Sequence, residues 1–457
     1  VNDEDLAFAG VEAQRELLQA RAISAVDLVS LCLARIERLN PRLNAFTFVR
    51  GDEARREAAA AQAALVAGDE RPLLGIPFAI KDDLDLAGSP TSYGTGLARK
   101  EAGEDSDMVR VLRQAGAIAV GKTTLPELGT HAFTDSVAWG VTRNPWDPSR
   151  TPGGSSGGSA VAVAAGLVPF ATGGDGGGSI RIPAAWCNLF GLKVQRGTLP
   201  GGSERDLTVH GVLTRSVADA AFLYDLLSQP SGRPPLVQAA RDEPRSLRVG
   251  MTFQLGLPAS VDRDVRRLVT DVAHTLVELG HDVSPVKVRP GNWGVPFSVA
   301  GLRLLSEQAR PIKDRRALEP STQGALRVAR LVPASLVGWA NTQQDRIKAK
   351  MVEVFDGLDV VLTPTTAVPA ALVQPWSGSG LVRDGLRMAR QCPFTSLWNF
   401  VGLPATSVPA GFTDDGLPVG AQLLGGPDSE ATLVALSAQL ERALRWTDHR
   451  PPLSSGA

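Results

Sequence analysis

An α/β fold, with a sheet covered by helices on both faces, is what this sequence predicts, and three observations point there. Short apolar runs bounded by turn formers alternate with segments of helical periodicity along most of the 457 residues. The runs are apolar throughout, as strands buried on both faces require. Finally, no internal repeat and no low-complexity linker interrupts the pattern. Length alone predicts two or three domains. The one composition shift, Gln229-Pro-Ser-Gly-Arg-Pro-Pro235, reads as a boundary between lobes.

Residues 10–40 read as two helices. Ala13, Leu17 and Leu18 recur at helical spacing, and Ser24-Ala-Val-Asp27 resembles a capping box ahead of Leu28, Leu31 and Ile36. Asn40-Pro41 is expected to close the second helix. Residues 54–67 form an alanine-rich helical run, and Leu74-Gly-Ile-Pro-Phe-Ala-Ile80 reads as a buried strand. A helix at 109–115 and a strand at 117–120 follow. Asn144-Pro-Trp-Asp-Pro148 is a turn cluster, 159–165 a small-residue helix, and 167–171 a strand. Later come a strand at 247–251, an amphipathic helix at 261–279 and a strand at 360–362 that ends at Thr363-Pro364. Residues 290–350 read as helical cover.

Composition excludes several function classes. Lys and Arg number 47 against 48 Asp and Glu, spread along the chain, so no basic stripe marks a nucleic-acid partner. No stretch approaches 18 consecutive apolar residues, so no membrane span is expected. The acidic opening Val-Asn-Asp-Glu-Asp leads into no apolar signal region. Cys32, Cys187 and Cys392 are too few and too scattered for a disulfide framework, which fits a reduced, cytoplasmic protein. The five histidines and three cysteines show no ligand spacing, so no metal site is expected.

The chemistry concentrates in two glycine-rich turns. Ten of the 29 residues from Thr151 to Ser179 are glycine. Glycine loses conformational entropy and packs nothing, so at this density the backbone geometry itself is wanted. Clustered main-chain N–H groups aimed at a negative charge are a common reason. The first turn is Gly153-Gly-Ser155-Ser156-Gly-Gly-Ser. The second, Gly-Gly-Asp175-Gly-Gly-Gly-Ser179-Ile-Arg181-Ile-Pro183, places Gly176, Gly177 and Gly178 directly before a serine. Upstream, Lys81 ends an apolar run. Two serines, a lysine and an anion-binding loop together suggest acyl transfer.

Both Gly153-x-Ser155-x-Gly157 and Gly154-x-Ser156-x-Gly158 match a nucleophile elbow, but the residues before them cannot form the strand that an elbow needs. A histidine-based triad would draw on His210, His274, His281 or His449, and His274 and His281 read better as helix and loop-surface residues. Lys81 is then the candidate base, since Ser–Lys variants of the triad are a known solution. A lysine that abstracts a proton must be neutral. Near neutral pH that costs about 4 kcal/mol, which full burial can supply. Taken alone, Lys81 beside Asp82 and Asp83 reads better as an ion-paired strand-end lysine than as a base, and direct pairing with Asp82 would favour its charged form.

These loops resemble the amidase signature family. The likeness extends to Gly75-Ile-Pro-Phe-Ala-Ile-Lys81-Asp82, Gly121-Lys-Thr-Thr-Leu-Pro-Glu127, Asn144-Pro-Trp146, Gly191-Leu-Lys193, Thr214-Arg-Ser-Val-Ala-Asp219, Asn399-Phe-Val-Gly-Leu-Pro-Ala405 and Asp415-Gly-Leu-Pro-Val-Gly420, in order, and so covers nearly the whole chain. It implies one large α/β/α domain over 1–457 with a mixed central sheet. Within it fall N-terminal helices (1–68), a catalytic core (69–230), a helical cover with a strand (231–350) and the C-terminal part of the sheet (351–457). It also implies hydrolysis of a carbon–nitrogen amide bond through a Ser–cisSer–Lys triad and an acyl-enzyme. Ser179 is then the nucleophile, Ser155 the bridging serine behind a cis peptide, and Lys81 the base. Gly176, Gly177 and Gly178 would form the oxyanion hole, supported by Ser156, Asp175 and Arg181.

No cofactor is implied, and the partner is a small-molecule amide, with neither nucleic acid nor membrane, acted on by a monomer or homodimer. Two departures stand out. Gly174 replaces the threonine usual before Asp175, removing a hydroxyl near the triad, and Val194-Gln195 replaces Pro-Thr. The A subunits of glutamine-dependent tRNA amidotransferases are similar too, but their Ser-Arg-Tyr-Gly segment is replaced by Gly197-Thr-Leu-Pro-Gly-Gly-Ser-Glu-Arg-Asp206. A stand-alone hydrolase is therefore expected; the alternatives are such a subunit or a catalytically silent binding protein on the same scaffold. The loop 197–210 and the cover 290–350 are expected to frame the entrance. Eight tryptophans accompany 14 Phe and 2 Tyr. Trp139, Trp293, Trp339 and Trp376 are candidates to line an aryl-accepting pocket for amides, esters or carbamates.

Overall fold

Short, wholly apolar runs leave no polar face to present to water, and they become the strands of one covered sheet. The computed structural model describes residues 2–97, 100–200, 205–228, 234–257, 259–373 and 380–454. Its strands are β1 (Phe46–Val49), β2 (Pro77–Lys81), β3 (Ile118–Thr123), β4 (Asp135–Ser136), β5 (Gly140–Val141), β6 (Phe170–Asp175) and β7 (Phe190–Lys193). They continue with β8 (Val209–Thr214), β9 (Arg248–Met251), β10 (Asp282–Pro285), β11 (Val360–Pro364), β12 (Ala405–Phe412) and β13 (Pro418–Gly425).

Apart from the small β4–β5 ribbon, the described strands join one sheet in the order β1-β3-β2-β6-β8-β7-β12-β13-β11-β9-β10. It is mixed. β2 lies parallel to both β3 and β6, and β9 parallel to β10 and β11, while the central strands from β6 to β11 pair antiparallel. The expected boundary between lobes does not divide the sheet, because β7 pairs with β12 across it. Residues 229–233 themselves lie outside the described residues. The expectation of two or three domains from length gives way to a single continuous sheet.

The helices expected at 10–40 occur as Gly10–Gln19 and Ala25–Leu43. Ser24 caps the second, its Oγ accepting the Asp27 N–H at 3.0 Å. Pro41 does not end that helix. Its missing donor costs a single bond one turn before the end, while Leu39 and Leu43 bury the same face. Asn44, at φ +50°, closes it instead. The small-residue helix Gly157–Ala164 and the helix Arg181–Cys187 are buried along their whole length. Each follows one of the glycine turns, so both turns are pinned against the sheet. Residues 294–353 are helical cover as expected, in the segments Gly294–Gln308, Pro320–Ala329 and Ala334–Glu353. His281 is not a surface residue: it is buried, accepting the Leu247 N–H through Nδ1 (3.1 Å) and facing Gln439 through Nε2 (2.8 Å). Among the described residues, no helix is long and apolar enough to cross a membrane.

Candidate active site

Every residue of β2 is buried, so its final residue, Lys81, points an ammonium-bearing chain into protein rather than solvent. The Lys81 main-chain N–H donates to Thr172 Oγ1 on β6 at 2.8 Å, fixing the strand end. Lys81 Nζ donates to Ser155 Oγ at 2.9 Å and stands 3.0 Å from Asp83 Oδ2. Its partner is thus Asp83. Asp82 turns to the opposite side and pairs with Lys122 at 3.4 Å. Burial pushes the Asp82 carboxyl up, outweighing Lys122 and the Ser92 hydrogen bonds. Burial also works against the Asp83 carboxylate, but Lys81, His210 and Lys122 outweigh it and hold the group below its ordinary value.

The peptide between Gly154 and Ser155 is cis. Across from Ser155, the backbone of Gly129 comes so near that a Cβ there would lie 3.3 Å from Ser155 Oγ. Ser156 faces the other way. Its Oγ accepts the Gly174 N–H at 3.2 Å, and its N–H donates to the Ser179 carbonyl at 3.3 Å, so the first turn is stitched to the second. Ser179 is half-buried, and its hydroxyl has no hydrogen-bond partner among the described residues.

Asp175 organises the second turn. One oxygen accepts the Gly178 N–H at 2.8 Å, and the other accepts those of Ile180 and Arg181, both at 3.3 Å. The Arg181 guanidinium grips both oxygens at 2.9 Å and reaches on to Gln422 and Asn399, each at 2.6 Å. Both charges are wholly buried. Burial alone would raise the Asp175 carboxyl, but Arg181, Lys193 and the Asn399 amide hold it well below the carboxylate range. A buried ion pair is tolerable only with such complete satisfaction.

One expected oxyanion donor is corrected here. The Gly178 N–H is spent on Asp175, which leaves those of Gly176, Gly177 and Ser179 unengaged among the described residues. Gly178 sits at φ +122°, and a Cβ there would strike the Thr395 hydroxyl, so its role is conformational.

Around this turn, Thr395 Oγ1 and Ser396 Oγ donate to the Gly177 carbonyl at 2.6 and 3.1 Å. Phe297 Cζ lies 3.6 Å from where a Cβ on Gly177 would stand. Trp293 is buried, packed edge-on against Phe297 at 5.8 Å and donating to the Leu255 carbonyl. Trp139 and Trp339 are surface residues 36% and 41% exposed, and Trp376 lies outside the described residues. Phe297, unlike these tryptophans, is seen against the loop, a residue that sequence reasoning passed over because a helical cover gives no hint of which turn meets the site. Within the expected entrance loop, Thr208 does reach the site: its Oγ1 lies 2.8 Å from a Cβ built on Gly176. Residues 201–204 of that loop lie outside the described residues.

His210 stands opposite Gly174 in the β6–β8 register, and its Cδ2 is 3.3 Å from a Cβ built on Gly174. Burial and Lys81 push its imidazole below the ordinary value, against the pull of Asp83 and Asp206. Among the described residues it makes no hydrogen bond to either serine.

The family described as Amidase matches residues 27–434. The chain belongs to the amidase signature family. It is 42% identical over 461 residues to a Mycobacterium tuberculosis (strain ATCC 25618 / H37Rv) protein that carries the amidase name AmiB2, covering 98% of this chain and 99% of that one. Among solved structures, 6-aminohexanoate cyclic dimer hydrolase bound to its substrate superposes with a TM-score of 0.87 at 28% identity, covering 98% of this chain and 100% of the other. A bacterial aryl acylamidase of the amidase signature family gives 0.84 at 28% identity, with 97% of each chain covered. A peptide amidase from Stenotrophomonas maltophilia gives 0.78 at 27%, covering 97% and 98%. The protein is an amide hydrolase.

Proposed function

We propose that this amide hydrolase works through a Ser179–Ser155–Lys81 relay and an acyl-enzyme. The observation that supports it is the 2.9 Å hydrogen bond from buried Lys81 Nζ to Ser155 Oγ, on a turn bonded to the main chain of Ser179. Neutral Lys81 takes a proton from Ser155 as Ser155 takes one from Ser179, whose oxygen attacks the amide carbonyl. The unengaged N–H groups of Gly176, Gly177 and Ser179 receive the oxyanion; one such donor contributes about 3–4 kcal/mol to acyl transfer. Ser155 then delivers a proton to the leaving amine, and water reverses the sequence to free the acid.

The Phe297 ring and the Thr208 and Ser396 hydroxyls stand beside Gly176 and Gly177. An aromatic wall with a few polar atoms suits an aryl or otherwise apolar acyl group, so aryl amides, with esters and carbamates by the same acyl-enzyme, are the substrate class we favour. The test is labelling with a fluorophosphonate followed by peptide mass mapping. An adduct confined to Ser179 is expected. An adduct on Ser155 or Ser156 would move the chemistry to the first turn, and no adduct would remove the serine mechanism.

A further inference from the structure

The Lys81 ammonium has two close partners, and the relay uses only one. The other, Asp83, belongs to no step above. β2 ends at Lys81, and the chain then turns, with the Leu84 N–H donating to the Lys81 carbonyl at 3.1 Å. That turn brings the Asp83 side chain back over Lys81, 3.0 Å from Nζ, while Asp82 leaves for the other side. The Lys81 side chain is 2% exposed and that of Asp83 17%, so water screens the pair weakly. Asp83 Oδ1 is buried with no hydrogen-bond partner among the described residues. Its carboxylate is therefore not consumed in holding up local backbone, unlike Asp175. On the opposite side, Gly174 offers no side chain at all: a Cβ there would stand 3.6 Å from Lys81 Nζ. Among the described residues, the only anion paired with the ammonium is Asp83.

We infer that Asp83 is a positioning residue of the relay, holding Lys81 against Ser155 and stabilising the ammonium that forms there. The inference rests on Lys81 being the base. The balance is simple. The Ser179 O–H bond breaks as an O–H bond forms on Ser155; the former Ser155 O–H bond breaks as an N–H bond forms on Lys81. Asp83 stays a carboxylate throughout and faces a new positive charge, as the triad carboxylate faces an imidazolium. A base that must be free of its proton gives a labelling rate that rises with pH, and an opposite charge beside it holds that rise at higher pH. The other titratable groups facing the pair are Lys122 on β3 and His210 on β8, with Asp82, Asp85 and Asp206 behind them.

The test is the pH dependence of the second-order rate of fluorophosphonate labelling at Ser179, which needs no knowledge of the substrate. In Asp83→Asn the rising limb is expected at least one unit lower, since an opposite charge at this range is worth about 1–3 units. The plateau is expected to fall about tenfold. Asp83→Glu, which keeps the charge, holds the limb near its wild-type position, and so does His210→Gln. An unmoved limb in Asp83→Asn, with or without loss of rate, overturns the inference, as does a limb displaced equally in Asp83→Glu. A limb abolished in His210→Gln also overturns it. Should Asp83→Asn not fold, as judged by near-UV circular dichroism, Asp83→Ser carries the same expectation. Lys81→Ala separates the two readings: wild-type labelling there would sink the relay and Asp83's part with it, whereas lost labelling with an unmoved Asp83→Asn limb would sink only the latter.

Discussion

Two adjacent aspartates at the end of β2 each face a buried lysine, and the two pairs differ in everything but composition. Lys122 Nζ meets three acceptors, Asp82 at 3.4 Å, the Leu84 carbonyl at 2.6 Å and Thr91 Oγ1 at 3.0 Å. Asp82 in turn accepts from Ser92 and Thr47. That pair is saturated, and saturated buried charges act as scaffold. Lys81 Nζ meets Asp83 and one serine hydroxyl, and Asp83 keeps an oxygen without a partner. Such incomplete hydrogen bonding next to a glycine turn leaves Lys81 able to exchange a proton with Ser155. The difference teaches that chemistry is marked less by a buried charge than by the incompleteness of its surroundings.

Breaking each pair in turn should give opposite phenotypes. The largest effect is expected from Lys81→Ala, a loss of 10³-fold or more in the labelling rate of Ser179, on the order of 4 kcal/mol of barrier. Its urea midpoint should move less than that of the companion variant. Lys122→Ala should do the reverse: it strands Asp82 in the interior at a cost of about 3–5 kcal/mol, read as a lowered urea midpoint, while the folded fraction still labels.

A carboxyl whose buried neighbours are acids rather than a cation sharpens the contrast further. Burial, with Glu127, Asp135 and Asp384 nearby, raises Glu319 from 4.5 to about 7. The native state then holds its proton more tightly than the unfolded chain, so stability is lost as pH rises through that window. Glu319→Gln should therefore match wild type near pH 4.5 and melt higher at pH 8, the smallest of these shifts, seen by differential scanning fluorimetry. Gln keeps an oxygen to accept the Val137 N–H, so a variant that melts lower at both would show that an amide NH2 is not tolerated where the second Glu319 oxygen lies buried without a partner.

Much of this was legible in order along the chain. The strand ending in Lys81, the two glycine turns and the helices after them follow from local patterns, because a run of apolar residues or of glycines constrains its own backbone. β7, β8, β12 and β13 do not follow from residue patterns, although family-like motifs lie on or beside them. Their positions depend on pairing with distant strands, as β7 with β12. Phe297 was missed as a neighbour of the site for the same reason, since it approaches from a covering helix, whereas His210, at the end of the loop expected at the entrance, meets the site by register across β8.

By itself, the sequence determined the family, the covered α/β sheet and the residue types from which a serine hydrolase can be built, since these rest on composition and spacing that survive any arrangement of the chain. Only the tertiary structure decided which aspartate meets Lys81, that the Gly178 N–H is spent on Asp175, and that Phe297 rather than a tryptophan stands over the second turn. Such choices turn on ångström differences between groups far apart in sequence. Hydrogen bonds and ion pairs fall off over that length, so they are settled by packing and not by adjacency.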